Sequence, residues 1–258
     1  MTDGRPRTSP ATAVAELQPV GLSTVLAEAD LQTRTERKYL VPPWALEALV
    51  DGLRDDFQAL EMAGLRVFRY ESVYFDTPGL TSYRAAAHGR RRRFKVRTRT
   101  YLDSGLCVLE VKTRGGRDET VKDRMPYHPD RRDRLDRAAT EFVLSRVPLV
   151  VGADALEPTL VTTYSRVTLV DLAVGARVTC DVDLVLSEPT GESARLDDRV
   201  LVETKSPGSA GPADRILWRL GLRPVAISKY CVGLAALRPG LPANRWHRTL
   251  QRHFADRL

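Results

Sequence analysis

From Leu31 onward the chain is built of short segments in which apolar and polar residues alternate, separated by turn-forming residues. Alternation with period two marks strands, because successive side chains of a strand point to opposite faces. Strands are predicted at 33–41, 67–77, 91–101, 106–114, 118–127, 159–171, 176–187 and 199–206. Helical spacing follows Pro42 and Pro43, where Trp44, Leu46, Leu49, Val50 and Leu53 form a stripe. Further helices are predicted near 79–88 and at 130–146, 212–221 and 230–236. After Pro242, the four-residue spacing of Trp246, Leu250 and Phe254 predicts a last amphipathic helix packing on the domain. Gly115-Gly116 reads as a hairpin turn. Residues 1–24 lack sustained periodicity and read as a flexible N-terminal extension outside the fold. The domain then spans 25–240, with 241–258 as the C-terminal helical segment.

Sorting each strand by parity separates charge from apolar surface. In 91–101 the odd positions are Arg91, Arg93, Lys95, Arg97, Arg99 and Tyr101, whereas Phe94 and Val96 are even. In 108–114, Glu110, Lys112 and Arg114 oppose Leu109 and Val111. Arg34, Glu36 and Lys38 share a face, as do Glu203 and Lys205, and as do Arg177, Thr179, Asp181 and Asp183. A single alternating strand is ordinarily the wet side of a sheet. Five cations on one strand repel one another, however, and the mixture of Arg, Lys and lone Glu recurs in distant segments. A shared charged lumen accounts for this, so the expected fold is α+β: a closed antiparallel β-barrel tunnel of about eight strands with helices outside.

At 258 residues and 43% apolar content, the chain can bury a core of ordinary density as one large domain. Forty Lys and Arg against 33 Asp and Glu give a net charge of +7, which favours anionic partners. A phosphate chain suits the lumen, since Arg offers paired donors to phosphate oxygens and Lys a compact charge. A divalent metal bridging such oxygens would need carboxylates, and the lumen candidates are Glu36, Glu110 and Glu203. The run Arg90–Arg93 is compatible with nucleic acid, but Phe94 and Tyr101 lie on opposite parities and form no stacking platform, so no nucleic acid is expected. Neither a leader-like apolar segment nor a stretch near the length of a membrane span is present, and a cytoplasmic location is expected. Cys107, Cys180 and Cys231 show no metal spacing and read as buried reduced thiols.

The ordered series RTERKY (34–39), SVYFDT (72–77), KVRTRTY (95–101), LEVKTR (109–114), TYSR (163–166), VETKS (202–206) and SKY (228–230) resembles the VTC domain, of the triphosphate tunnel metalloenzyme (CYTH-like) superfamily. The resemblance implies a tunnel that extends polyphosphate by transferring the terminal phosphoryl group of ATP with Mn²⁺ or Mg²⁺. By matching motif it implies Lys38, Arg97, Arg99, Lys112 and Arg166 as phosphate ligands, with Tyr164 and Lys122 beside them, and Glu203 as metal ligand. Ser228 and Lys229 would contact the phosphate near the reacting centre, with Lys229, Arg97, Arg99 and Lys38 the residues on which catalysis depends. Arg34, Lys95 and Lys205 join the substrate-binding set through their lumen parity. Arg34 stands where the triphosphatase branch of the superfamily carries the first Glu of E-x-E-x-K, which favours phosphoryl transfer over hydrolysis. Triphosphate hydrolysis and non-catalytic polyphosphate binding are the alternative readings. Eukaryotic relatives sit in membrane complexes, so a membrane partner protein would be needed to couple synthesis to transport.

Overall fold

The computed structural model describes residues 9–29, 34–114, 120–147, 156–189, 191–196 and 198–254. In chain order these form α1 (Pro10–Ala13), β1 (Pro19–Val20), α2 (Leu22–Ala29), β2 (Arg34–Val41), α3 (Pro43–Leu53), β3 (Gln58–Leu60), β4 (Phe68–Asp76), α4 (Thr81–Ala87), β5 (Arg93–Tyr101), β6 (Leu106–Arg114) and β7 (Thr120–Tyr127). There follow α5 (Arg137–Leu144), β8 (Glu157–Asp171), β9 (Ala176–Ser187), β10 (Ser193–Leu196), β11 (Val200–Pro207), α6 (Pro212–Arg219), α7 (Lys229–Leu237) and α8 (His247–His253). The class is α+β with a large antiparallel sheet. Two compact units share the chain: Met1–Phe68 with Ser165–Leu184 and Leu196–Val225, and Arg69–Tyr164 with Val185–Arg195 and Ala226–Leu258.

In the first unit the strands run in the order β2, β11, β9, β8, and the short β3 pairs with β8. One parity of these strands is apolar: Tyr39 and Val41 of β2, Val178, Cys180 and Val182 of β9, and Val200 and Val202 of β11 form the core. Against them α3 sets Ala45, Leu46, Leu49, Val50 and Leu53, the stripe predicted from its spacing, and α6 adds Ala213, Ile216 and Leu217. Asp214 of α6 is fully buried and accepts bonds from Tyr39 Oη (2.6 Å), Thr204 Oγ1 (2.7 Å), Arg37 Nη1 (3.1 Å) and the Gly211 amide (2.9 Å). Four donors on one carboxylate meet the cost of burying it and tie α6 to both strands. Val14 and Leu17 also enter this core at 0% and 3% exposure, and β1 pairs with β3. Residues 9–24 are therefore not outside the fold, because the three-residue spacing of Val14, Leu17 and Val20 buries an apolar edge. Residues 1–8 and the Gly115-Gly116 turn lie outside the described residues.

In the second unit the order is β8, β4, β5, β6, β7. Val73 and Phe75 of β4, Phe94 and Val96 of β5, and Leu109 and Val111 of β6 pack on Ala139 and Val143 of α5. These are the apolar parities that alternation predicts. The helix expected over 130–146 is shorter, since Asp136 takes extended backbone angles and caps α5 by accepting from the Ala139 amide. A single 3₁₀ turn, Pro129–Arg131, precedes it. α7 is buried along nearly its whole length, and a Cβ at Gly233 would fall 2.8 Å from Leu160, so glycine lets this helix close on β8. Trp246, Leu250 and Phe254 are buried as their spacing predicts.

The expected closed barrel is not what the hydrogen bonds form: the path of paired strands begins at β2 and ends at β7, and among the described residues no ladder joins those two. Among the described residues no helix is long and apolar enough to cross a membrane. Cys107, Cys180 and Cys231 are free and buried.

Candidate functional site

The polar parities of the strands carry two clusters, one in each unit. In the first, β2 and β11 pair so that Lys38 lies directly across from Glu203 and Glu36 across from Lys205. Lys38 Nζ reaches Glu36 at 2.6 Å and Glu203 at 3.4 Å, while Lys205 Nζ reaches Glu203 at 3.0 Å and Glu36 at 3.6 Å. Two cations and two carboxylates thus close a ring of zero net charge. Burial would raise the Glu203 carboxyl, but Lys38, Lys205 and Arg166 hold it well below the usual range. Burial would lower Lys38, and Glu203 and Glu36 keep it above its ordinary value. Nearby, Arg166 grips the buried Asp181 with both Nε (2.5 Å) and a terminal nitrogen (2.8 Å). The side chain of Arg34 lies outside the described residues.

The second cluster stands on β4, β5, β6 and β7, with Tyr164 of β8 and the start of α7. Register places Lys95, Lys112 and Lys122 in one row across β5, β6 and β7, and Arg97, Glu110 and Arg124 in the next. Glu110 is 2% exposed and takes Arg97 through Nε at 2.7 Å, Lys122 at 2.7 Å and Arg124 at 3.0 Å. Burial alone would raise its carboxyl, but Arg97, Arg99 and Lys122 drive it far below the carboxylate range. Arg97 also donates to Tyr74 Oη at 3.0 Å. Burial opposes ionisation of that phenol, but Arg97, Lys229, Arg99 and Lys95 pull it below its ordinary value. Lys229 Nζ sits 4.3 Å from the centre of the Tyr164 ring, which stacks on Tyr70 at 5.3 Å, and Arg99 lies 5.7 Å from the Tyr70 centre. Lys95 donates to Ser228 Oγ at 2.8 Å, the side chain that caps α7.

Three polar atoms on this charged parity are buried without a hydrogen-bond partner: Ser72 Oγ, Thr162 Oγ1 and Arg99 Nε. Their residues are 1%, 0% and 8% exposed, and Ser72 and Arg99 face each other across β4 and β5. Such orphans are costly and call for a polar partner, whether a buried water or a ligand. Of the residues expected to share one lumen, the structure places Lys95, Arg97, Arg99, Glu110, Lys112, Lys122, Tyr164, Ser228 and Lys229 in the second unit, and Glu36, Lys38, Arg166, Glu203 and Lys205 in the first. Sequence reasoning misses Tyr70, Ser72, Tyr74, Thr162 and Arg124. Parity is the available signal for Arg124, two residues from Lys122, and for Thr162, two residues from Tyr164.

The expected metal ligands do not act as one set: among the described residues no three His, Cys, Asp or Glu gather where they could hold a metal ion. Glu36 and Glu203 fit a Mg²⁺ or Mn²⁺ ion of the kind held by one or two carboxylates together with substrate phosphates. Both oxygens of Glu110 are engaged by three cations, and those of Glu36 and Glu203 by two lysines, so a metal ion would have to displace an ion pair at any of the three.

The sequence profile of the VTC domain matches residues 33–238. No curated protein matches the chain. Solved structures that it resembles include a Bacillus halodurans protein named as a candidate adenylate cyclase, at 13% identity and TM-score 0.49, covering 76% of this chain and 94% of that one. A Hippeastrum protein with a dominant triphosphatase activity aligns at 15% identity and TM-score 0.46, covering 81% and 99%. An RNA triphosphatase from S. pombe aligns at 12% identity and TM-score 0.30, covering 88% and 74%.

Proposed function

Since this chain belongs to the VTC domain family, we propose that it is a metal-dependent polyphosphate polymerase acting on ATP. The observation that carries this reading is the second cluster, where Lys95, Arg97, Arg99, Lys112, Lys122 and Arg124 surround Glu110, the one carboxylate on the charged parity of β5, β6 and β7 among the described residues, and three buried polar atoms want a partner. A bound phosphate chain answers both. Lys95, Arg97, Arg99, Lys112 and Lys122 would hold its oxygens, Ser72 and Thr162 would donate to it, and Arg99 would use its spare Nε–H.

In the transfer itself, the terminal oxygen of the acceptor chain forms a bond to the γ-phosphorus as the bond from that phosphorus to the β–γ bridging oxygen breaks. ADP leaves, and the chain is one phosphate longer. The contribution of Arg97, Arg99 and Lys229 is to fix the reacting groups in line and to stabilise charge as it shifts between the oxygens. Lys229 is held for this by the Tyr164 face, and Tyr164 by Tyr70. Glu36 and Glu203 would hold the Mn²⁺ or Mg²⁺ ion, which when bound supplies neutralisation of phosphate charge. Lys38, Lys205 and Arg166 would keep those two carboxylates ionised; substrate contact through Arg34, Lys38, Lys205 and Arg166 is part of the same proposal. The physiological setting proposed is the cytoplasm, with any transport of product left to a membrane partner protein.

The test is incubation of the purified chain with ATP and Mn²⁺, followed by separation of polyphosphate, orthophosphate and ATP. Long chains are expected. Orthophosphate without chains would replace the proposal with hydrolysis, and unchanged ATP would leave a binding module. Arg97→Ala and Lys229→Ala are each expected to lower turnover by roughly 10²-fold or more with the melting transition retained.

A further inference from the structure

Tyr230 is the second residue of α7, directly after Lys229, and is 1% exposed. Its Oη donates to Asp76 Oδ2 at 2.5 Å, and its ring stacks on that of Tyr74 at 5.1 Å. Asp76, the last residue of β4, is 0% exposed. Backbone amides take its other acceptor positions: Thr77 (2.8 Å) and Ser82 (2.9 Å) donate to Oδ1, and Tyr83 (2.9 Å) to Oδ2. Leu80, which precedes α4, offers that helix no side-chain cap, so Asp76 caps it from β4 while holding α7 through Tyr230. Burial, then the Asp76 charge, push the Tyr230 phenol far above its ordinary range, which keeps it a donor.

The rest of α7 is apolar: Cys231, Val232, Leu234, Ala235 and Ala236 are buried, and Gly233 closes on Leu160 and Leu186. Apolar contacts carry no direction, so they hold this helix in place without fixing its rotation about its own axis. The bond to Asp76 supplies that direction, and it does so at the end of the helix where Ser228 and Lys229 stand. A slip of one residue turns a helix by about 100°. That would carry Lys229 Nζ away from the Tyr164 ring, which it meets at 4.3 Å, and Ser228 Oγ away from Lys95 Nζ, which it meets at 2.8 Å.

We propose that Asp76 and Tyr230 are positioning residues of the second cluster: their hydrogen bond sets the rotation of α7 and so aims Ser228 and Lys229. The proposal deepens the reading of Lys229 as a residue that meets the phosphate, and rests on it. A tyrosine serving only as core could become phenylalanine without consequence for Lys229.

The test is Tyr230→Phe, which keeps the ring and removes the hydroxyl. Lys229 is followed by limited acetylation with acetic anhydride and peptide mass spectrometry, with Lys205 of the first unit as internal reference, below the melting transition of each chain. Acetylation of Lys229 is expected to rise several-fold in the variant, and that of Lys205 to stay the same. With ATP and Mn²⁺, kcat should fall roughly tenfold, less than the ~10²-fold that a displacement of about 1 Å can cost, and KM for ATP should stay within about twofold. Added to Lys229→Ala, Tyr230→Phe should lower turnover no further, because its effect passes through Lys229. If Tyr230→Phe does not fold, Asp76→Asn, which keeps an acceptor oxygen for the α4 amides, takes its place with the same changes expected. Unchanged acetylation of Lys229, or a loss of turnover equally large with and without Lys229, would overturn the positioning role. Failure of the polymerase reading would appear elsewhere, as absence of chains from ATP and Mn²⁺ with the change in Lys229 acetylation intact.

Discussion

The two charged clusters are built from the same residue types on the same kind of alternating strand, yet register gives them opposite electrostatics. Across β2 and β11 each lysine faces a glutamate, so Glu36, Lys38, Glu203 and Lys205 neutralise one another. Across β5, β6 and β7 lysine faces lysine twice in the row Lys95, Lys112 and Lys122, and only the next row offers Glu110. Like charges directly opposite on a sheet are unfavourable by roughly 0.2–1 kcal/mol a pair. The first cluster is therefore balanced in charge, although Thr179 Oγ1, on the strand position paired with Glu203, is buried without a hydrogen-bond partner. The second holds a surplus of positive charge that a polyanion would relieve, and its Ser72, Thr162 and Arg99 atoms are buried without a hydrogen-bond partner.

The largest effect that would break this contrast is on Glu110→Gln. Glu110 is buried and is the common partner of Arg97, Lys122 and Arg124. Removing its charge should cost about 3 kcal/mol, the low end for a broken buried pair because Lys122 and Arg124 retain contact with water. Denaturant melts would show the loss, and tripolyphosphate should recover more stability in this variant than in the parent. Equal stabilities would mean that the surplus charge is compensated in some other way.

A smaller effect sharpens the division of labour. Glu203→Gln should raise the Mn²⁺ concentration needed for half-maximal turnover by roughly 10- to 100-fold, a loss of the size seen when a metal ligand's support is removed. Glu110→Gln, assayed below its melting transition, should leave that concentration unchanged. A shift with Glu110→Gln and none with Glu203→Gln would reverse the assignment of the two clusters.

Parity made much of this legible in advance. It needs only the order of residues along one strand, and it placed Lys95, Arg97 and Arg99 opposite Phe94 and Val96, just as the cores require. Register is a relation between strands, and nothing in the 93–101 or 106–114 segments alone tells whether Lys95 meets Lys112 or Glu110. For that reason Glu110 resembled Glu203 in the sequence, although one is enclosed by three cations and the other shares a ring with two lysines. Closure of the sheet was beyond reach for a related reason, since alternation reports faces and not which strands end a ladder. Tyr70 and Tyr74 were hidden by chemistry: an aromatic ring in a strand reads as core, and only the cations laid against it, Arg99 and Arg97, reveal its second use.

The smallest predicted effect depends on pH and separates the clusters again. Burial lowers Lys122, Glu110 opposes the fall, and Arg99 and Arg97 add to it, leaving the ammonium to titrate at about 7. Lys122 therefore carries its charge below that pH and loses it above, so anion binding by the second cluster should weaken as pH rises through neutrality. Sulfate is the suitable probe, because its own charge is constant across this window. Its affinity should fall a few-fold, about 0.5–1 kcal/mol for a side chain still partly in water, and Lys122→Met should flatten the response. Lys38 is held above its ordinary value by Glu203 and Glu36, so Lys38→Met should leave the slope untouched. A pH response that survives Lys122→Met would place the titrating group elsewhere. Its disappearance in Lys38→Met would assign the pH response to the first cluster instead of the second.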